Sequence, residues 1–270
     1  THPWGATTDS TSDRKTHPWG LRWAGSARMI PDVGDLGTTT RTTGGGAGSV
    51  VDDATTLVTV AHGTRKGGGN EVARQLTEAA ADRLGVPATA TYVELSEPLF
   101  ADVMTAADRP AVVVPLLLST GFHMRSDLPE QTALASVPVV LGRQLGPDPL
   151  LAQAQVARLV EAGARRGQRV VLVAAGSSDE AATCDQMCAV AHLARAWDGP
   201  VELATLSGHG VRPAEVIRPG DAVSPYLLSP GFFHDRLRRE APAGSVVADV
   251  MGAHRSVVDL VVERYRALLS

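Results

Sequence analysis

Val58-Thr59-Val60-Ala61-His62-Gly63-Thr64 is the stretch that decides the fold, because it has a counterpart at Val171-Leu172-Val173-Ala174-Ala175-Gly176-Ser177. Each is a short, β-branched apolar run that ends in a glycine turn, as a strand buried on both faces does. A second pair of stretches matches as well. Leu116-Leu117-Leu118-Ser119-Thr120-Gly121-Phe122 parallels Tyr226-Leu227-Leu228-Ser229-Pro230-Gly231-Phe232. The offset is 113 residues between Gly63 and Gly176 and 110 between Gly121 and Gly231, so the register of a repeat nearly holds.

Working outward, apolar runs alternate with helical spacing. In the first half, strands are expected at 57–61, 88–94, 111–118 and 137–141, with helices at 71–84, 98–107 and 149–164. In the second half, strands are expected at 169–175, 201–205, 222–228 and 245–249, with helices at 180–197, 213–217 and 255–268. Strand–helix alternation implies parallel sheets covered by helices. The expected fold is α/β: two similar domains, 56–166 and 167–270, each a small parallel sheet, facing one another across a cleft. Ligands of such folds bind at the carboxyl ends of the strands.

Residues 1–55 have a different texture. They are rich in Thr, Gly and Ser and poor in large aliphatics, and include Gly44-Gly45-Gly46-Ala47-Gly48-Ser49. Such a stretch buries too little apolar surface to offset its ordering entropy, so a disordered tail is expected there. Thr-His-Pro-Trp-Gly occurs at 1–5 and at 16–20, and three of the four tryptophans (Trp4, Trp19, Trp23) lie in this segment. His2 and His17 are read as adventitious metal binders at most.

Composition excludes several function classes. The net charge of −4 offers no broad basic surface for nucleic acid. Two cysteines make no disulfide framework. No apolar run approaches the ~20 residues of a membrane span. The expectation is a soluble cytoplasmic protein without a nucleic-acid or membrane partner.

Three side chains at strand ends carry the candidate chemistry. His62 follows the first strand, Glu94 ends the second, and His123 follows the third. In a parallel sheet these ends share one edge, so two imidazoles and a carboxylate converge. Imidazole suits divalent Fe, Co, Ni, Cu and Zn, and a carboxylate completes the set or takes protons. In the second half His62 aligns with Ala175, Glu94 with Thr205, and His123 with Phe233, one residue before His234. The scaffold is kept and the trio is lost, as expected when one copy of a duplicated domain keeps the site.

Val60-Ala61-His62-Gly63-Thr64-Arg65, Tyr92-Val93-Glu94-Leu95-Ser96-Glu97-Pro98 and Val114 to Pro129, containing Ser119-Thr120-Gly121-Phe122-His123-Met124-Arg125-Ser126-Asp127, together resemble the sirohydrochlorin chelatases. The likeness spans about residues 57–268. It implies a class II chelatase-like fold in its long, two-domain form. It also implies that a divalent metal, Fe2+ ahead of Co2+, is inserted into sirohydrochlorin in sirohaem or cobalamin biosynthesis. It carries the metal ligands onto His62 and His123 and an assisting carboxylate onto Glu94. Lys66-Gly67-Gly68-Gly69 departs from the Pro-containing loop of many members. Arg65 and Arg125 are natural partners for substrate carboxylates. Thr120 and Gly121 are candidates for backbone contact with one of them. No tightly bound cofactor is expected, the metal being a substrate. With both halves in one chain, a monomer suffices.

Other features have plainer readings. Cys184 and Cys188, four apart in a helix, read as buried packing residues. Gly208-His209-Gly210 reads as an exposed turn. His192 and His254 have no visible partner, and His234 is as readily a packing residue as a second cleft wall. A non-catalytic metal or tetrapyrrole carrier is the main alternative function. A histidine phosphatase fits poorly, since Ala61 stands where that chemistry wants arginine before His-Gly.

Overall fold

The computed structural model describes residues 55–64 and 67–270. The expected tail, with its repeated pentapeptide, and Arg65 lie outside these residues. The chain runs β1 (Thr56–Ala61), α1 (Gly67–Leu84), β2 (Ala88–Tyr92), α2 (Phe100–Thr105), β3 (Ala111–Pro115), a single π-helical turn (His123–Asp127), α3 (Leu128–Thr132), β4 (Val139–Leu141) and α4 (Pro149–Glu161). It continues through β5 (Val170–Ala174), α5 (Glu180–Trp197), β6 (Val201–Thr205), α6 (Pro213–Val216), β7 (Ala222–Tyr226), α7 (Phe232–Glu240), β8 (Val246–Val247) and α8 (Arg255–Arg266). The two sheets have the same order, β2-β1-β3-β4 and β6-β5-β7-β8, and every pairing is parallel. This is the duplicated α/β architecture expected from the repeated strands.

Alternation along the strands builds the layers. Leu57, Val112 and Val114 of the first sheet join Val170, Leu172 and Ala174 of the second in one core. The residues between them face the other way. Val58, Val60 and Val113 pack on Phe100, Met104 and Leu128, and Val171, Val173 and Val223 pack on Leu206, Ile217 and Leu237. Each fully buried aliphatic side chain contributes roughly 1.5–3 kcal/mol relative to exposure, so a polar residue at any of these positions is costly.

Helices bind the halves together. α4, which follows the first sheet, lies against α5 and β7 of the second. α8, which ends the chain, lies against α1 and β3 of the first, and against α4. Arg264 of α8 donates to Asp148 at 2.8 Å and to the Leu145 carbonyl at 3.1 Å, and the ion pair is nearly buried. Asp148 also accepts the Leu150 N–H, capping α4 behind Pro149. This exchange fixes the strand ends of one sheet relative to those of the other.

The structure departs from the sequence reading in several places. α1 begins at Gly67 rather than Glu71, so the glycine triplet is its first turn. The second strand ends at Tyr92, leaving Glu94 in the following loop, and the third ends at Pro115, which has no N–H to donate. Cys184 and Cys188 are exposed rather than buried. The buried stripe of α5 runs through Ala182, Gln186, Ala189, Leu193 and Trp197, and both cysteines lie off it. His209 sits in an exposed turn, as expected.

Candidate metal centre and cleft

A glycine sets the first part of the site. Gly63, directly after His62, has φ +93°, and a Cβ there would lie 1.9 Å from the Glu94 carbonyl oxygen. Only glycine lets the β1 and β2 loops approach so closely. The approach is sealed by the Glu94 N–H donating to the His62 carbonyl at 3.2 Å. His62 Nε2 then lies 3.5 Å from Glu94 Oε1, with both side chains about half exposed.

His123 arrives from the third strand end. It opens the wide π turn, closed by the Leu128 N–H donating to the His123 carbonyl. The turn brings His123 over Asp127, and Nδ1 lies 2.5 Å from Asp127 Oδ2. That bond commits Nδ1 and leaves Nε2 for a ligand, the arrangement in which a carboxylate orients a metal-holding imidazole. The imidazoles of His62 and His123 meet edge to face, with centroids 4.8 Å apart. One ligand atom from each of His62, Glu94 and His123 lies within 4.8 Å of the others, the convergent His/Cys/Asp/Glu trio among the described residues. Metal–nitrogen bonds of roughly 2.1 Å hold two ligand atoms at most about 4.2 Å apart, so a small rotation of these accessible side chains closes the set on one ion. Asp127 was missed in the sequence, because its contact with His123 depends on the π turn.

His62 and His123 line a cavity of about 660 Å³ to which both halves contribute, with Glu94 beside His62. Thr120 and Gly121 line it. The Thr120 N–H donates to Asp185 on α5 at 2.6 Å, and its hydroxyl accepts from Gln144 at 2.8 Å, so both polar groups are engaged within the protein. Gly121 stands with open space where a Cβ would be. Arg125 is ion-paired across the cleft with Asp179, which also caps α5 through the Ala181 N–H. Tyr226 donates to the Leu118 carbonyl at 3.2 Å. Burial, then the charges of Asp185 and Asp148, push its hydroxyl far above the usual phenol range, so it remains a donor.

The second half has the same lip without the ligands. Gly176 has φ +90°, and a Cβ there would lie 1.9 Å from the Ser207 carbonyl oxygen, as Gly63 does with Glu94. Strand register agrees, since Tyr92 pairs beside Ala61 as Thr205 does beside Ala174. Glu94 therefore corresponds to Ser207, not to Thr205 as expected from the sequence. Ala175 replaces His62, and Phe233 replaces His123. His234 is buried and accepts from Arg238 Nε at 3.1 Å. Burial, then the Arg238 charge, holds its imidazole below the ordinary range.

A duplicated α/β scaffold with an imidazole and carboxylate cluster on one lip of its cleft is the class II chelatase architecture. The sequence profile of the CbiX family matches residues 56–162. The sirohydrochlorin ferrochelatase of Bacillus subtilis (strain 168) is 28% identical over 204 residues, covering 68% of this chain and 78% of that one. That of Priestia megaterium is 27% identical over 239 residues, covering 78% and 89%. The solved structure of SirB from Bacillus subtilis with Fe3+ superposes with a TM-score of 0.70 at 26% identity, covering 80% of this chain and 96% of that one. In sequence and in fold the chain is similar to the sirohydrochlorin chelatases.

Proposed function

We propose that this protein inserts a divalent metal, Fe2+ by preference and Co2+ as the second candidate, into sirohydrochlorin, serving sirohaem or cobalamin biosynthesis in the cytoplasm. The observation that carries the reading is the meeting of His62, Glu94 and His123, with both imidazoles lining the cavity between the two sheets. Among the described residues no helix is long and apolar enough to cross a membrane. The relatives that cover most of this chain are named sirohydrochlorin ferrochelatases.

The chemistry exchanges one M2+ for two pyrrole N–H protons. The two imidazoles hold the ion partly dehydrated, Nε2 of His123 being turned to it by Asp127. Glu94, beside His62, orients the ion or takes up a released proton, and its half-exposed carboxylate passes protons on to water. Because ligation needs neutral imidazole, insertion falls at acid pH. Arg65, Arg125, Thr120 and Gly121 are the proposed substrate contacts. Arg125 reaches a substrate carboxylate by exchanging it for Asp179.

Purified protein, sirohydrochlorin and Fe2+ or Co2+ without oxygen provide the test. Many turnovers per chain are expected, followed through the absorption change on metallation. Binding of the macrocycle with no metallation above the uncatalysed rate would leave a carrier instead.

A further inference from the structure

Folding does not explain two Gly-Phe pairs. Gly121-Phe122 and Gly231-Phe232 occupy equivalent loops after β3 and β7, and all four residues line the cavity. The chain has four phenylalanines. Phe100 is fully buried and Phe233 packs on the outer core of the second sheet, but Phe122 is 68% and Phe232 62% exposed. An exposed phenyl ring forgoes the stabilisation its burial would bring, and two at matching positions on one cavity mark a ligand surface. The glycines agree. Neither has a left-handed backbone, and a Cβ on either meets no atom within 4 Å. Neither chain conformation nor packing calls for glycine there, whereas close approach of a ligand to the backbone does.

We propose that Gly121-Phe122 and Gly231-Phe232 form two matching ledges that receive a flat conjugated macrocycle. Each phenyl ring covers part of its π surface, and each glycine leaves room for it to settle on the loop. The identity of the macrocycle rests on the chelatase reading above. The ledges differ in what stands behind them. Behind Phe122 is His123, with ring centroids 6.5 Å apart, whereas behind Phe232 is Phe233, at 5.5 Å. His234 of the second half also lines the cavity but is buried, so a ring seated on both meets exposed imidazole on the first-half side, and the metal is delivered from there.

The test is titration of metal-free sirohydrochlorin, without oxygen or metal, into the wild type and into Phe122→Ala, Phe232→Ala and the double variant, read by macrocycle absorption. Each single variant should raise Kd about tenfold and the double by more. The Kd for Co2+ should stay within about twofold, since neither ring is a ligand. Phe→Tyr at either site should restore macrocycle binding. Gly121→Ala and Gly231→Ala, which place a methyl group in open space, should fold as the wild type does and still weaken macrocycle binding. A double variant that binds the macrocycle as tightly as the wild type overturns the ledges while leaving chelation intact. Loss of Co2+ and macrocycle binding in parallel overturns them too. A wild type that binds the macrocycle and cannot metallate it overturns the chelatase reading and not the ledges. A wild type that does not bind it at all overturns both.

Discussion

The two lips of the cleft differ more than the two sheets beneath them. Strand order, parallel pairing and the glycine that lets neighbouring loops touch are the same in both halves. The first lip carries His62, Glu94 and His123 with Asp127 behind it, and the second carries Ala175, Ser207 and Phe233, with Leu237 in the Asp127 position, buried in the core. Sheet residues answer to packing, which both copies must satisfy. The polar lip residues of the first half meet one another and the cavity, where a ligand constrains them, whereas Phe233 and Leu237 of the second answer to packing.

The largest effect expected from that difference is at the imidazoles. His62→Ala or His123→Ala should each abolish insertion of Fe2+ or Co2+ in a spectrophotometric assay. His62 is half exposed, so its loss should move stability by no more than about 0.5 kcal/mol in chemical denaturation. Near-normal turnover in either variant removes that residue from the reaction.

Next comes Asp127. Asp127→Asn frees Nδ1 of His123 to change its role, and metal affinity or activity should fall by about 10- to 100-fold. Isothermal titration with Co2+ reads this without the macrocycle.

The paired glycines separate fold from site. Gly63→Ala and Gly176→Ala should each cost more than about 2 kcal/mol, from the left-handed backbone and the carbonyl 1.9 Å from the new Cβ. Only Gly63→Ala, which pushes His62 from Glu94, should also lower Co2+ affinity. Equal loss of affinity in both would mean that the halves share the metal site.

The smallest effect concerns His234. Its folded-state pKa lies below that of the unfolded chain, through burial first and Arg238 second. The neutral ring's contribution is therefore fully present above about pH 6.5 and is lost as pH falls through the depressed folded value. His254, lowered by burial and Arg158, acts in the same window. His234→Gln should flatten part of the acid loss of stability and leave the rest to His254. An unchanged pH profile contradicts this assignment.

Much of the scaffold was legible because its central strands are continuous apolar runs, buried on both faces. Val58, Val60, Val113, Val171 and Val173 are buried, β-branched and bounded by turns. Helix α5 was readable to the residue, having both a capping aspartate and an apolar stripe. α7 was not, because Phe-Phe-His-Asp-Arg-Leu-Arg-Arg-Glu is dominated by charged residues and buries only His234 and Leu237. The π turn and α3 were hidden for the same reason, with Leu128 their one buried side chain. His62, Glu94 and His123 were visible as polar residues at strand ends. Asp127 and the counterpart of Glu94 were not, since one depends on a turn type and the other on strand register. The cysteines misled because helical spacing shows that they share a face, not which face is buried.

X-ray absorption at the cobalt edge of the Co2+-loaded protein, before and after His62→Ala and His123→Ala, tests the metal centre most directly. One ion per chain with scattering from two imidazoles at about 2.1 Å, reduced to one in each variant, is the predicted result. Cobalt bound without imidazole scattering, or bound unchanged when both histidines are replaced, would contradict it.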